Sequence, residues 1–149
     1  MSIRRSFALG FVGLSIVSAS VGGLAVGSAR ADWGGNSRLS PLMCSYGAHV
    51  YTTGSATLRY PDGTIAGYLD IRWSDWCPTS NWARLTSTIV GRHAVSISEQ
   101  GYNNAAGADD SGVSVNVTPV VTWVGRTGRV CAYADIYTWK GHAAGVACG

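Results

Sequence analysis

The sequence predicts an all-β protein: a small, disulfide-stapled, antiparallel β-sandwich or barrel of six to eight strands. Apolar and polar side chains alternate along most of residues 43–149, and turn-forming Gly, Pro, Asn and Asp separate the alternating runs. Such alternation is the pattern of strands with one buried face, and frequent turn signals favour a sandwich or barrel. No stretch shows a sustained helical stripe.

The N-terminal segment predicts a secretory signal peptide over residues 1–31. A basic pair, Arg4 and Arg5, precedes a charge-free apolar run over residues 7–26, and Ala29 and Ala31 then match an Ala-x-Ala cleavage site. An uncleaved membrane anchor is the alternative, because the run is about long enough to cross a bilayer. The arginine pair also partly matches a twin-arginine signal, so the export route stays open.

Removal of the signal leaves residues 32–149, which we divide into a flexible leader, 32–42, and a single β domain, 43–149. The whole chain has 11 basic and 8 acidic residues. The three arginines that leave with the signal, Arg4, Arg5 and Arg30, account for that excess. The remaining basic residues are scattered, which argues against a nucleic-acid interface. We expect a monomer that contacts neither nucleic acid nor, after signal removal, a membrane.

All four cysteines, Cys44, Cys77, Cys131 and Cys148, lie after the predicted cleavage site. An even number in an exported chain predicts two disulfides, and no C-x-x-C pair indicates zinc. Three pairings are possible. We favour Cys44–Cys77 and Cys131–Cys148, because each then fixes a terminal segment to the body.

Three local features qualify the strand pattern. Residues 60–64, Tyr-Pro-Asp-Gly-Thr, predict a turn. Gly67 interrupts a buried row and indicates a bulge or a close neighbour, and Pro119 indicates a sheet edge or a break. Residues 101–112 have no strand pattern and three glycines, so we expect a long loop there.

Residues 71–85 hold three tryptophans and one cysteine between two predicted strands. We expect a corner pinned by Cys77 and packed with aromatic rings. The run from 58 to 85 resembles a family of secreted actinobacterial domains of unknown function, whose signature is an apolar-Arg-aromatic-Ser step, a cysteine three residues later, and Trp-Ala-Arg. That signature falls here on Ile71-Arg72-Trp73-Ser74, then Cys77, then Trp82-Ala83-Arg84. The resemblance implies a secreted, cysteine-stapled domain and no particular chemistry.

We predict no catalytic, cofactor-binding or metal-binding residues, and therefore no enzyme. The three histidines, His49, His93 and His142, are far apart in sequence, and the chain has neither G-x-S-x-G nor H-E-x-x-H. Asp70 and Asp135 are interpreted as solvent-facing strand residues. A small hydrolase is therefore the least supported of three function hypotheses, and the other two are given below.

The candidate binding residues are Tyr133, Tyr137 and Trp139, which share one face of the last long predicted strand. If Val130, Ala132, Ala134 and Ile136 form the core side, these rings point outward and form a binding strip. The alternative, favoured by Cys131 on the aromatic side, is that the rings face the core.

The first function hypothesis is a non-catalytic extracellular module that binds cell-wall glycan or a protein. The second is a secreted antagonist, either a bacteriocin-like toxin or a protease inhibitor that uses residues 101–112 as bait.

Overall fold

The computed structural model describes residues 31–35, 40–46, 49–101, 104–122 and 129–149. The predicted signal peptide, apart from Ala31, lies outside these residues. The described elements are β1 (Ala31–Gly34), α1 (Pro41–Ser45), β2 (Val50–Arg59), β3 (Ile65–Ser74), β4 (Ser80–Glu99), β5 (Ala105–Val117), β6 (Val121–Thr122), β7 (Val130–Thr138) and β8 (Gly141–Cys148).

All eight strands belong to one antiparallel, nearly closed, barrel-like sheet, so the all-β prediction is confirmed. The strand order is β1-β5-β4-β3-β2; β6 and β7 also pair with β4, and β8 pairs with β7. Strands β2 and β8 approach closely at the remaining gap, where a Cβ added to Gly54 would lie 2.6 Å from the carbonyl oxygen of Cys148.

The long strand β4 organises the sheet because several strands pair with it. Its first half pairs with β3, from Asn81 to Ser87, and its second half pairs with β7, from Arg92 to Glu99. Strand β5 pairs with both halves. The register shifts at Gly91, where a Cβ would collide with the carbonyl oxygen of Tyr137, so only glycine fits this junction between β4 and β7.

The inward rows of the strands form one apolar core, as their alternation predicts. Its largest fully buried aliphatic side chains are Leu58, Leu69, Ile71, Leu85, Ile97, Val121, Val130 and Ile136. Gly67 is a close-approach position, because a Cβ there would meet the carbonyl oxygen of Thr86 and lie 2.7 Å from Cδ1 of Ile136.

The tryptophan-rich corner is confirmed as a disulfide-pinned, packed element. Cys44 and Cys77 form a disulfide, and both pack with the buried residues Trp82 and Val120 in a second, smaller cluster. Trp76 is the exception, because 71% of it is exposed. The second predicted disulfide, Cys131–Cys148, is also present.

The predicted long loop requires correction, and two short elements, β1 and α1, lie in the region of the predicted leader. Within residues 32–42, strand β1 pairs with β5, and α1 begins at Pro41. The helix starts because Ser40 caps it, its hydroxyl accepting from the backbone N–H of Met43, and because proline suits the first helical turn.

Residues 101–112 were predicted as a loop, yet β5 begins at Ala105. Its small residues Ala106, Gly107 and Ala108 are buried between β4 and β1, where small side chains allow close packing. Gly107 therefore serves strand packing, Gly112 lies at an irregularity in the pairing of β5 with β4, and Gly101 lies in the turn before β5. Pro119 marks a break between β5 and β6.

Candidate binding surface

Three aromatic side chains of the predicted binding face point away from the core. Tyr133 and Tyr137 on β7 are 48% and 44% exposed, and Trp139, in the turn after β7, is 85% exposed. We call these three residues the aromatic strip. The alternative that the strip faces the core is wrong, because the small aliphatic residues between the rings occupy the core side. Those buried residues are Ala132, Ala134 and Ile136.

Cys131 is buried even though it belongs to the aromatic side of β7. It is bonded to Cys148 on the neighbouring strand, and Nε2 of Gln100 lies 2.8 Å from its sulfur. The disulfide and the Gln100 side chain therefore bury Cys131 near the start of β7, while Tyr133 and Tyr137 further along the strand stay exposed.

A shallow groove lies beside Tyr133 on the outer face of β5, β4 and β7. It has a volume of about 250 Å³ and is lined by Ala94, Val95, Ser96, Asp109, Tyr133 and Asp135. Ala94 is the register partner of Asp109 on one side and of Asp135 on the other. Small side chains thus form the floor of the groove, and two carboxylates flank it.

His142 on β8 fixes two groups of this surface. Its Nε2 lies 2.7 Å from Oδ1 of Asp135, and its ring stacks on Tyr137 with centroids 4.4 Å apart and planes 8° apart. On β4, the register partner of Tyr137 is Arg92, whose guanidinium carbon lies 6.0 Å from the centroid of the Tyr137 ring. Tyr137 is therefore held between two neighbours and offers its edge and hydroxyl, while Tyr133 and Trp139 have no ring partner within the described chain.

Arg92 also fixes the second carboxylate of the groove. Its Nε and Nη2 donate to the two oxygens of Asp109 at 3.1 and 2.5 Å. Hydrogen bonding and the charge of Arg92 lower the pKa of Asp109, and the same pairing raises the pKa of Arg92. Both groups stay charged at neutral pH, and their paired geometry restricts their motion.

Two histidine–carboxylate pairs bear on the hydrolase hypothesis. Besides Asp135–His142, Nδ1 of His49 lies 3.0 Å from Oδ2 of Asp75, and this hydrogen bond lowers the pKa of Asp75. Within the described part of the chain, neither histidine forms a hydrogen bond to a serine, threonine or cysteine side chain. A catalytic triad needs a nucleophilic side chain hydrogen-bonded to the histidine in addition to the histidine–carboxylate pair.

The other histidine and aspartate that the sequence analysis considered for catalysis, His93 and Asp70, form no pair with each other. His93 is fully buried in β4, and Asp70 on β3 lies 3.8 Å from Nη1 of Arg72. Within the residues that the structure describes, no three His, Cys, Asp or Glu side chains form a group that could hold a metal ion.

Sequence reasoning missed Arg92, Asp109 and His142 as parts of this surface. A two-residue turn at Trp139 and Lys140 places Tyr137 opposite His142, so hairpin register could have revealed that pair. The pair Arg92–Asp109 carried no such signal, because residues 101–112 were interpreted as a loop.

Comparison of the chain with models of known protein families, with curated proteins and with solved structures finds no match. The resemblance of residues 58–85 to a secreted actinobacterial family therefore stays a prediction. None of the helices described is both long enough and apolar enough to span a bilayer. The two disulfides indicate an oxidising environment outside the cytoplasm.

Proposed function

We propose that this protein is a secreted, non-catalytic binding module whose aromatic strip attaches it to cell-wall glycan. The observation that carries the proposal is the exposure of Tyr133 beside a groove flanked by two carboxylates, with the exposed ring of Trp139 further along the chain, after β7. Flat rings offer contact area at little cost in conformational entropy. The two disulfides and the N-terminal sequence support secretion.

A saccharide suits this surface because rings and hydrogen-bonding groups alternate along it. A sugar ring that stacks on Tyr133 would place its hydroxyls near Asp135, Asp109 and Ser96, which line the same groove. The carboxylates accept hydrogen bonds from hydroxyls, and Arg92 and His142 already hold them in place. Less reorganisation on binding favours affinity.

An extracellular protein is the alternative ligand for the same surface, because exposed tyrosine and tryptophan also anchor protein interfaces. The antagonist hypothesis has less support. Its inhibitor form required an exposed bait loop over residues 101–112, but Ala105 onwards belongs to β5 and pairs with β4.

The test is a quantitative pull-down on insoluble peptidoglycan and chitin. Wild type is compared with Tyr133→Ala and Trp139→Ala, which remove the two open rings, and with Tyr137→Ala, which removes the held ring. We expect retention of the wild type and about a 5- to 100-fold loss for each of Tyr133→Ala and Trp139→Ala, if a sugar stacked on an aromatic ring contributes about as much as a stacked base, about 1–3 kcal/mol.

Trp76→Ala is the matched control. Trp76 is an exposed tryptophan like Trp139, but it is next to Cys77 at the disulfide-pinned corner and is not part of the strip. This variant should be retained like the wild type. Equal retention of wild type and all strip variants would remove the strip from the proposal. A wild type that is not retained on either polymer would leave the protein-partner alternative.

A further inference from the structure

A second groove lies on the outer face of β2, β3 and β4, on different strands from the aromatic strip. It has a volume of about 300 Å³ and is lined by Ala56 and by six residues with polar groups in their side chains, Ser55, Thr57, Tyr68, Asp70, Arg84 and Thr86. We call it the polar groove. The function proposed above does not use it.

Strand register arranges the lining in two rows. Tyr68 on β3 lies between Thr57 and Thr86, its partners on β2 and β4. Because both neighbours are small, the Tyr68 ring stays 47% exposed. In the next row, Asp70 lies between Ser55 and Arg84. The Tyr68 ring, with a threonine hydroxyl on each side, is therefore next to the row that contains Asp70 and Arg84.

The charges in this groove are not balanced. The carboxylate of Asp70 lies 3.8 Å from Nη1 of Arg72, which also donates to the hydroxyl of Thr52 at 2.7 Å. Arg84 is exposed, and its guanidinium forms no hydrogen bond or ion pair with a side chain or carbonyl of the described residues. Arg72 therefore neutralises Asp70, and the guanidinium of Arg84 remains available to an external anion.

From this arrangement, we propose that the polar groove binds a carboxylate-bearing saccharide. Arg84 matches a carboxylate with two parallel N–H donors. Tyr68 offers a ring face on which the apolar side of a sugar ring can stack. Asp70 accepts hydrogen bonds from sugar hydroxyls, and Ser55, Thr57 and Thr86 both donate and accept.

The test uses two probes with the same sugar backbone: tetragalacturonic acid, which carries carboxylates, and its fully methyl-esterified form, in which uncharged methyl esters replace them. Their affinities for the full chain after signal removal are measured by titration calorimetry at low ionic strength. We expect the acid to bind about 10- to 100-fold more tightly than the ester, as charge-assisted hydrogen bonds of this kind allow.

Two variants of the groove separate charge from stacking. Arg84→Gln should bind both probes equally, because it removes only the recognition of the carboxylate. Tyr68→Ala should weaken both probes by the same factor, whereas Tyr137→Ala, on the strip, should change neither. Thermal unfolding confirms that each variant is folded.

Several outcomes would overturn the proposal. These are equal binding of acid and ester to the wild type, no binding of either probe, and an unchanged preference in Arg84→Gln. Loss of binding in Tyr137→Ala but not in Tyr68→Ala would assign the acidic glycan to the strip and also overturn it. Because the peptidoglycan and chitin test uses other polymers and strip variants, failure there is distinguishable from failure here.

Discussion

Cys131 and Cys148 are register partners on the neighbouring strands β7 and β8, and a disulfide bond joins them. The other disulfide differs in kind, since Cys77 ties the short helix α1 to the connection between β3 and β4. One bridge therefore reinforces an existing pairing, and the other holds a segment that has little other contact with the body.

Removing either bridge should lower the free energy of unfolding by about 2–4 kcal/mol. The bridge Cys44–Cys77 spans 33 residues and Cys131–Cys148 spans 17. Because the closed segment is about twice as long, we expect the paired change Cys44→Ala and Cys77→Ala to cost about 0.6 kcal/mol more than the other paired change. Urea unfolding of the two double variants measures this, and the reverse order would show that native-state packing outweighs loop closure.

Trp82 and Trp76 form a matched pair for testing the corner. Trp82 is buried against Cys44, Cys77 and Val120, whereas Trp76 is exposed. We expect Trp82→Ala to destabilise the protein by about 3–5 kcal/mol and Trp76→Ala by less than about 0.5 kcal/mol. Similar losses in the two variants, measured by denaturant unfolding, would contradict the packing described for this corner.

The buried ring of His93 makes stability depend on pH. The ring is fully buried, neither nitrogen has a hydrogen-bond partner within the described residues, and burial lowers its pKa despite the opposing charge of Asp110. The folded state therefore keeps His93 neutral, while the unfolded chain takes up a proton near its ordinary pKa of about 6.5. Stability is full above that pH and falls as the pH decreases below it.

We expect the unfolding free energy to fall by at most about 1.4 kcal/mol per pH unit from this residue between roughly pH 6.5 and pH 5. His93→Leu should flatten that decline. His49→Gln is the control, because the His49 side chain is 84% exposed. The same slope in His93→Leu and in the wild type, measured by urea unfolding across this range, would refute the assignment.

Gly67 tests how closely β3, β4 and β7 approach one another. Gly67→Ala places a Cβ against the carbonyl oxygen of Thr86 and the end of Ile136, so we expect a loss of about 1–3 kcal/mol. Gly63→Asn is the comparison, because Gly63 has a φ of +82° with nothing within 4 Å, and asparagine tolerates such a backbone. It should change stability by less than about 0.5 kcal/mol. Denaturant midpoints decide between these expectations.

Local chemistry made the strands and the 60–64 turn predictable. Asp62 accepts from the backbone N–H of Thr64 at 2.9 Å, and Gly63 adopts the positive φ that its position requires. The alternation of Leu69 with its neighbours fixed which side of β3 is buried, since period two leaves only two choices. These features depend on residues close in sequence.

Features that depend on distant partners were not predictable in the same way. Ala106 and Ala108 are strand residues because β1 and β4 pack closely on both sides, and neither neighbour is visible in local composition. The exposure of Tyr133 and Trp139 likewise depended on which row of β7 faces the core. The position of Cys131 on the same side as the rings favoured a core-facing aromatic row. Cys131 is in fact buried through its disulfide to Cys148, while the rings are exposed.

The shared strand β4 has a kinetic consequence. Its second half meets β7 only when Arg92 aligns with Tyr137, a pairing between residues far apart along the chain. Such nonlocal closures raise the relative contact order, and barrels dominated by them fold in milliseconds to seconds. We therefore expect refolding on that timescale, with the registration of β4 against β7 as the step that limits its rate.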